Sequence, residues 1–127
     1  MTERGRGLGE QFAASLAKKD RAALFALLAD ELDFRPMTPG RFWEASTPTD
    51  VVDDVILGHW FEPSDHIEAL ESVETAEIAD RTRVGYLLKV RNDDGVHLVE
   101  QQAYLAEQDG RISWLRVMCS GYRPIDE

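Results

Sequence analysis

Three polar residues near the start of the segment 99–122 are the first candidates for chemistry. Glu100, Gln102 and Tyr104 alternate along a predicted strand, so they share one of its faces. A glutamine side chain offers a donor and an acceptor, and a tyrosine offers a hydroxyl group. On a solvated strand these would be ordinary surface residues, whereas on the wall of an apolar cavity they would orient a small molecule.

Four residues concern acid–base or nucleophilic chemistry. Glu100 becomes a candidate base if it is buried, because desolvation raises a carboxylate pKa towards neutrality. Asp33, in the short predicted strand "ELDFRP", is the alternative carboxylate. His59 lies near the end of a predicted helix, where it is either a general base or a helix cap. Cys119 is predicted to be a buried structural thiol.

Neither a metal nor a cofactor is expected. His59 and His66 are separated by a turn at Pro63 and have no partner at ligand spacing. His66 and His97 begin predicted strands next to turns, where solvent exposure is expected. The sequence contains no phosphate-binding loop, and "GRGLG" lacks the preceding strand that a dinucleotide-binding fingerprint requires.

Composition narrows the class of protein. The chain has 127 residues, which is typical of one domain, and carries 24 acidic against 14 basic residues for a net charge of -10. Such a charge repels phosphate backbones and anionic lipids, so neither nucleic acid nor a membrane is an expected partner. A single cysteine excludes an intrachain disulfide. Without a membrane span or a secretory signal, the expected location is cytoplasmic.

The elements that must position these residues follow from apolar periodicity. Residues 1–7 are predicted to be a disordered N-terminal tail, and residues 8–127 a single domain. The first helix is predicted from Leu8, the second from Arg21 to Ala29 with Asp20 as its N-cap, and a third from Thr49 to about Gly58. Four strands, at about 66–79, 82–92, 96–107 and 111–120, are separated by the turn sequences "ADR", "NDDG" and "QDG". Helices followed by an antiparallel meander indicate an α+β fold.

Two segments resemble a known superfamily. "FAASLAKKDRAALFALLADELDFRP" is similar to the paired helices and first strand of nuclear transport factor 2-like proteins, and "AYLAEQDGRISWLRV" to their closing hairpin. The resemblance spans about residues 8–120, and the superfamily includes ketosteroid isomerases and SnoaL-like polyketide cyclases. It implies three N-terminal helices packed in a curved, mainly antiparallel sheet that forms a conical pocket.

The resemblance also implies which residues of the last hairpin face the cone. The residues expected inside are Glu100, Gln102, Tyr104, Leu115, Val117 and Cys119. The residues expected outside are Val99, Gln101, Ala103, Leu105, Trp114, Arg116 and Met118. Because Val99, Leu105, Trp114 and Met118 would form an exposed apolar stripe, a homodimer through the outer sheet face is expected.

The sequence departs from the isomerase pattern at each catalytic position. The late-strand acid of this superfamily corresponds to Gln102, which cannot exchange a proton at neutral pH. No carboxylate stands near Pro36, where the isomerase base would fall, and the first helix has no tyrosine. The isomerase machinery is therefore absent in its known form.

The expected ligand is hydrophobic or aromatic, because aromatic residues are numerous around the predicted pocket. The predicted ligand-binding residues are Gln102, Tyr104, Trp43, Phe12, Trp60, Tyr86, Val117 and Cys119. Phe34, Phe42 and Phe61 are expected beside them. The alternative is that these side chains fill the core and leave no void.

Three functions remain open from the sequence. The first is a cofactor-free isomerase, cyclase, dehydratase or hydrolase that uses acid–base chemistry, with Gln102 and Tyr104 polarising the substrate. Glu100, Asp33 and His59 are its candidate catalytic residues. The second is a non-catalytic ligand-binding protein, and the third is a protein-association module.

Overall fold

The computed structural model describes residues 3–126, which form helices on one face of a large sheet. Two α-helices, α1 (Glu3–Ala17) and α2 (Arg21–Leu27), precede a π-helix (Asp50–Trp60). The strands are β1 (Leu28–Phe34), β2 (Met37–Thr38), β3 (Arg41–Phe42), β4 (His66–Ile78), β5 (Arg81–Asn92), β6 (Gly95–Gln108), β7 (Arg111–Cys119) and β8 (Arg123–Pro124). The predicted α+β class is confirmed.

The N-terminal tail prediction is wrong from Glu3 onwards, because α1 begins there and not at Leu8. Met1 and Thr2, the rest of the predicted tail, lie outside the described residues.

The second helix begins as predicted and ends earlier. The Asp20 side chain accepts a hydrogen bond of 3.1 Å from the backbone N–H of Ala23, which confirms it as the N-cap. The helix ends at Leu27, two residues before the predicted Ala29, because Leu28 is already extended and starts β1. Along β1, Leu32 and Phe34 are both buried, as their alternation predicts.

The third helix lies where it was predicted, but it is a π-helix. The backbone N–H of Phe61 donates to the carbonyl of Ile56 at 2.8 Å, five residues back. Its buried residues are Val51, Val52, Val55, Ile56 and Trp60. Arg21 of α2 donates two hydrogen bonds to the Asp53 carboxylate, at 2.7 and 2.9 Å. These bonds lower the pKa of Asp53 and tie the helix to α2.

The sheet has the order β3-β2-β7-β6-β5-β4, with β1 parallel to β7 and β8 antiparallel to β6. The four long strands lie within a residue or two of their predicted bounds. Asp109 and Gly110 both have positive φ, of 54° and 81°, so the predicted "QDG" turn joins β6 to β7. The ladder between β4 and β5 is irregular at Glu68 and at Glu71, and no described strand pairs with the other side of β4.

The helices cover the inner face of the sheet, and the core lies between these two layers. Its largest fully buried side chains include Phe12 from α1, Phe34 from β1 and Tyr86 from β5. Within residues 3–126, no helix is both long and apolar enough to cross a membrane.

Replacing Gly58 with alanine tests the π-helix. A Cβ atom at this position would lie 2.5 Å from the carbonyl oxygen of Asp53, so the helix backbone would have to shift. We expect Gly58→Ala to lower the free energy of unfolding by about 1–3 kcal/mol, measured by urea denaturation.

Gly7→Ala is the matched control, because the only atom within 4 Å of its added Cβ is Nε2 of Gln11, at 3.9 Å. Alanine there should be neutral or stabilise the helix by up to about 1 kcal/mol. Equal effects of the two substitutions would contradict the π-helical geometry.

Candidate functional site

The inner face of β6 carries Gln101, not Gln102. Val99, Gln101, Ala103 and Leu105 are buried against the helices, with Gln101 0% exposed. The face prediction for β6 was therefore wrong by one residue, and a shift of one residue transfers every side chain to the other face. The prediction for β7 was right, since Leu115, Val117 and Cys119 point inwards and Trp114, Arg116 and Met118 outwards.

Tyr86 and Gln101 form a polar pair inside the core. They are opposite each other on β5 and β6, and the Tyr86 hydroxyl donates to Oε1 of Gln101 at 2.6 Å. Burial, and to a smaller extent the neighbouring Cys119, raises the pKa of Tyr86 well above its ordinary value. The phenol therefore stays protonated and keeps the amide oxygen occupied.

The other end of the Gln101 amide has no partner. Among the described residues, three buried side-chain nitrogens make no hydrogen bond: Nε2 of Gln101, Nε1 of Trp60 and Nδ1 of His97. With Oε1 of Gln101 accepting from Tyr86, its Nε2 can only donate, and the indole N–H of Trp60 cannot accept. Leaving a buried donor unpaired costs about 1–3 kcal/mol. These donors would be satisfied by a molecule that brings acceptor oxygens.

Aromatic side chains surround the Trp60 side of the core. The Trp60 ring lies 6.0 Å from Phe34 and 6.4 Å from Trp43, centroid to centroid. Trp43 is half-buried and donates from Nε1 to the Thr38 hydroxyl at 2.8 Å. The Tyr122 hydroxyl donates to the backbone carbonyl of Trp60 at 2.6 Å. Burial first, and then Asp65, raises the pKa of Tyr122 well above its ordinary value.

Of the other predicted ligand-binding residues, four lie on the inner side. Phe12 and Tyr86 are fully buried and their rings pack edge to face at 6.3 Å. Val117 is buried, and Cys119 is half-buried opposite Gln101. The sulfur of Cys119 accepts a hydrogen bond of 3.4 Å from the backbone N–H of Gly121. These positions are filled by packed side chains, as the alternative in the sequence analysis anticipated.

Gln102 and Tyr104 belong to the outer face. Arg83 donates to Oε1 of Gln102 at 2.9 Å, and the amide lies over Gly85, where an added Cβ would be 2.7 Å from Oε1. Tyr104 pairs across the sheet with Arg83 and Arg116. The expectation that these two residues line the cone is therefore wrong. Phe42, expected near the pocket, is 80% exposed.

The three candidate catalytic residues lie at the surface and are separate from one another. The Glu100 side chain is 50% exposed and lies 3.7 Å from Arg123. Asp33 lies between Arg35 and Arg116, 3.1 Å from each.

His59 is likewise about half exposed. Its Nδ1 is 2.6 Å from the backbone carbonyl of Asp54, which fits the helix-end interpretation. None of the three contributes to the polar pair in the core.

Sequence reasoning missed the inward residues Gln101, His97 and Asp65. His97 is 7% exposed, although it was expected at the surface. Asp65 is 8% exposed, and its carboxylate accepts from the Glu62 backbone at 3.0 Å and from Asn92 at 2.9 Å. A signal for Gln101 was present, since Val99, Ala103 and Leu105 are apolar at period two and place residue 101 on their face.

No group of three or more His, Cys, Asp or Glu side chains in the described part of the chain is arranged to hold a metal ion.

Comparison with known proteins identifies the fold. No family model matches the sequence, and no curated protein is a significant relative. Among solved structures, a provisionally assigned isomerase of Bacillus subtilis superposes with a TM-score of 0.77 at 14% identity, over 94% of this chain and 90% of that one. An LEH-like epoxide hydrolase of M. tuberculosis gives 0.68 at 14% identity, over 94% and 84%.

A nuclear transport factor 2-like protein of unknown function from Mesorhizobium loti gives a TM-score of 0.65 at 23% identity, over 94% of this chain and 93% of that one. The chain therefore has the nuclear transport factor 2-like fold, as the resemblance predicted. At these identities the likeness establishes the fold alone.

A double-mutant cycle tests the polar pair. Tyr86→Phe leaves the Gln101 oxygen unpaired and should cost about 1–3 kcal/mol of unfolding free energy. Gln101→Leu leaves the Tyr86 hydroxyl unpaired but also removes the unpaired Nε2, so it should cost less. The double variant removes both groups and the unpaired Nε2 as well. We expect it to be at least as stable as either single variant by urea denaturation. Additive losses would show that the two side chains do not interact.

Proposed function

We propose that this protein binds a small, largely apolar molecule inside the cone, through an acceptor oxygen held by Nε2 of Gln101. The observation that carries the proposal is the buried, unpartnered donor of Gln101, whose oxygen is already occupied by Tyr86. A ketone, ester or ether oxygen accepts hydrogen bonds and brings no donor that would remain unpaired. Phe12, Val99 and Val117 belong to the same buried apolar cluster and would contact the body of such a ligand.

The named structural neighbours favour a small-molecule role. The Bacillus subtilis protein is described provisionally as an isomerase, and the M. tuberculosis protein as an epoxide hydrolase. In a catalytic form of this proposal, a cofactor-free isomerase or cyclase would use the Gln101 amide to polarise a carbonyl group. Because Glu100, Asp33 and His59 lie at the surface, binding is the form that the geometry supports best.

Binding requires the core to open locally. Nε2 of Gln101 has essentially no exposed surface, so no water-sized space lies beside it. A ligand can reach the amide only when neighbouring apolar side chains move. Because only the open molecules can bind, the observed affinity is the affinity of the open form multiplied by the fraction of molecules that are open.

A matched pair of probes tests the proposed anchor. 2-Acetylnaphthalene carries a ketone oxygen, and 2-ethylnaphthalene has nearly the same shape without it. We expect the ketone to bind about three- to tenfold more tightly, as a net hydrogen bond of about 0.5–1.5 kcal/mol provides. Binding is followed by quenching of tryptophan fluorescence. Gln101→Leu should abolish this preference for the ketone.

Gln102→Leu is the control, because it removes the same amide from the next residue of the strand, on the outer face. It should leave the ketone preference unchanged. Equal affinity of the wild-type protein for the two probes would refute the proposed anchor. So would a preference that survives in Gln101→Leu.

A homodimer through the outer sheet face is a separate part of the proposal. Phe42, Met37 and Met118 are neighbours across β3, β2 and β7, and they form an apolar row on this face. Phe42 is 80% and Met118 54% exposed. The apolar stripe predicted from the sequence was wrong at Val99 and Leu105, because both are buried on the inner face of the sheet.

Charge favours a second copy as the occupant of this face. The apolar row continues from Met118 across the outer face through Gln102 to Glu74. Glu100 lies on one side of this line, and Arg83 and Arg116 lie on the other side. A two-fold axis through this row would bring the arginines of one copy towards the glutamates of the other.

The cytoplasmic location stays a prediction from the sequence.

Met118→Glu tests the dimer. Introducing a charge into the apolar row should weaken self-association at least tenfold, measured by sedimentation equilibrium against a chain mass of 14.4 kDa. Val73→Glu is the control, because Val73 is 41% exposed on the edge strand β4 and lies outside the row. A wild-type protein that sediments as a single chain at all concentrations would rule out the dimer.

A further inference from the structure

A surface groove lies between the end of α1 and the start of β4, away from the polar pair in the core. Its volume is about 710 Å³. Apolar side chains form most of its walls, with Ala14 and Ala17 on the helix and Ile67, Ala69 and Leu70 on the strand. The small side chains of the helix leave room that longer ones would fill. The strand side chains are only partly buried, so this part of the apolar layer is uncovered.

The polar residues at one end of the groove carry an excess of positive charge, because two lysines face one carboxylate that no arginine pairs with. Asp65 already accepts from Asn92 and from the Glu62 backbone, and Glu68 is paired with Arg91 at 3.2 Å. Both acidic residues of the groove are thus engaged within the protein.

The cations are engaged much less. Lys19 donates from Nζ to the backbone carbonyl of Glu62 at 2.6 Å, which involves one of its three hydrogens, and its charge is also attracted by Asp65. The side chains of Lys18 and His66 make no hydrogen bond or ion pair with another described residue. Two of the three lysines of this strongly acidic chain therefore stand together at one apolar groove.

From this arrangement we infer that the groove binds an amphipathic carboxylate, with the carboxylate at Lys18 and Lys19 and an alkyl or aryl body along Ala17, Ile67 and Leu70. The strand segment 66–70 extends for about 13 Å, which matches a medium-length chain. Burial lowers the pKa of Lys19, Asp65 partly opposes that effect, and a bound carboxylate would oppose it further. This site is independent of the proposed binding inside the cone.

Sodium octanoate and 1-octanol are the probes for this inference. They share the alkyl chain and differ in the charge of the head group. We expect octanoate to shift the backbone amide NMR signals of Ala14, Ala17 and Ala69, with an affinity at least fivefold higher than that of 1-octanol. Lys18→Gln/Lys19→Gln should remove that difference and leave the weak binding of the alcohol. Ala17→Leu should block both probes by filling the groove.

Arg6→Gln/Arg111→Gln is the matched control. It removes two positive charges, one from the same helix and one from β7, at positions outside the groove. It should leave octanoate binding within twofold of wild type. The inference fails if octanoate and 1-octanol bind equally, or if the two double variants behave alike. It also fails if the shifted amides surround Gln101, a result that would bear instead on the cone.

Discussion

The register of β6 against its two neighbours is the constraint on which the rest of the structure depends. Because Gln101 pairs with Tyr86 on one side and with Cys119 on the other, the inner face of three strands is fixed at once. The same register sends Glu100 and Gln102 outwards to Arg123 and Arg83. A slip of one residue would exchange a buried amide for a carboxylate, at a large desolvation cost.

Local patterns were enough to predict most of the fold. The Asp20 cap and the "QDG" turn act through neighbouring residues, so the sequence contains what determines them. The π-helix was not predictable in the same way, because its apolar residues fit an α-helical period too. The candidate site was wrong for another reason: the resemblance implied that Gln102 faces the cone, whereas the apolar alternation of Val99 and Ala103 places residue 101 inside.

The interior combines strict exclusion of water with donors that lack acceptors. Apolar packing around Phe12 and Tyr86 stabilises the fold, whereas the unpaired nitrogens of Gln101 and Trp60 oppose it. A core selected for stability alone would replace these polar groups with aliphatic side chains of similar size. The ligand proposed for the core would give these donors their acceptors.

Strand β4 has a further consequence for the behaviour of the protein in concentrated solution. It is thirteen residues long, and no described strand pairs with its second side. A regular ribbon of that length would be a template for fibril growth. The interruptions at Glu68 and Glu71 break its hydrogen-bonding repeat and add negative charge there. Among the described strands none covers this edge, and its irregularity makes it a poor template for edge-to-edge pairing with another sheet.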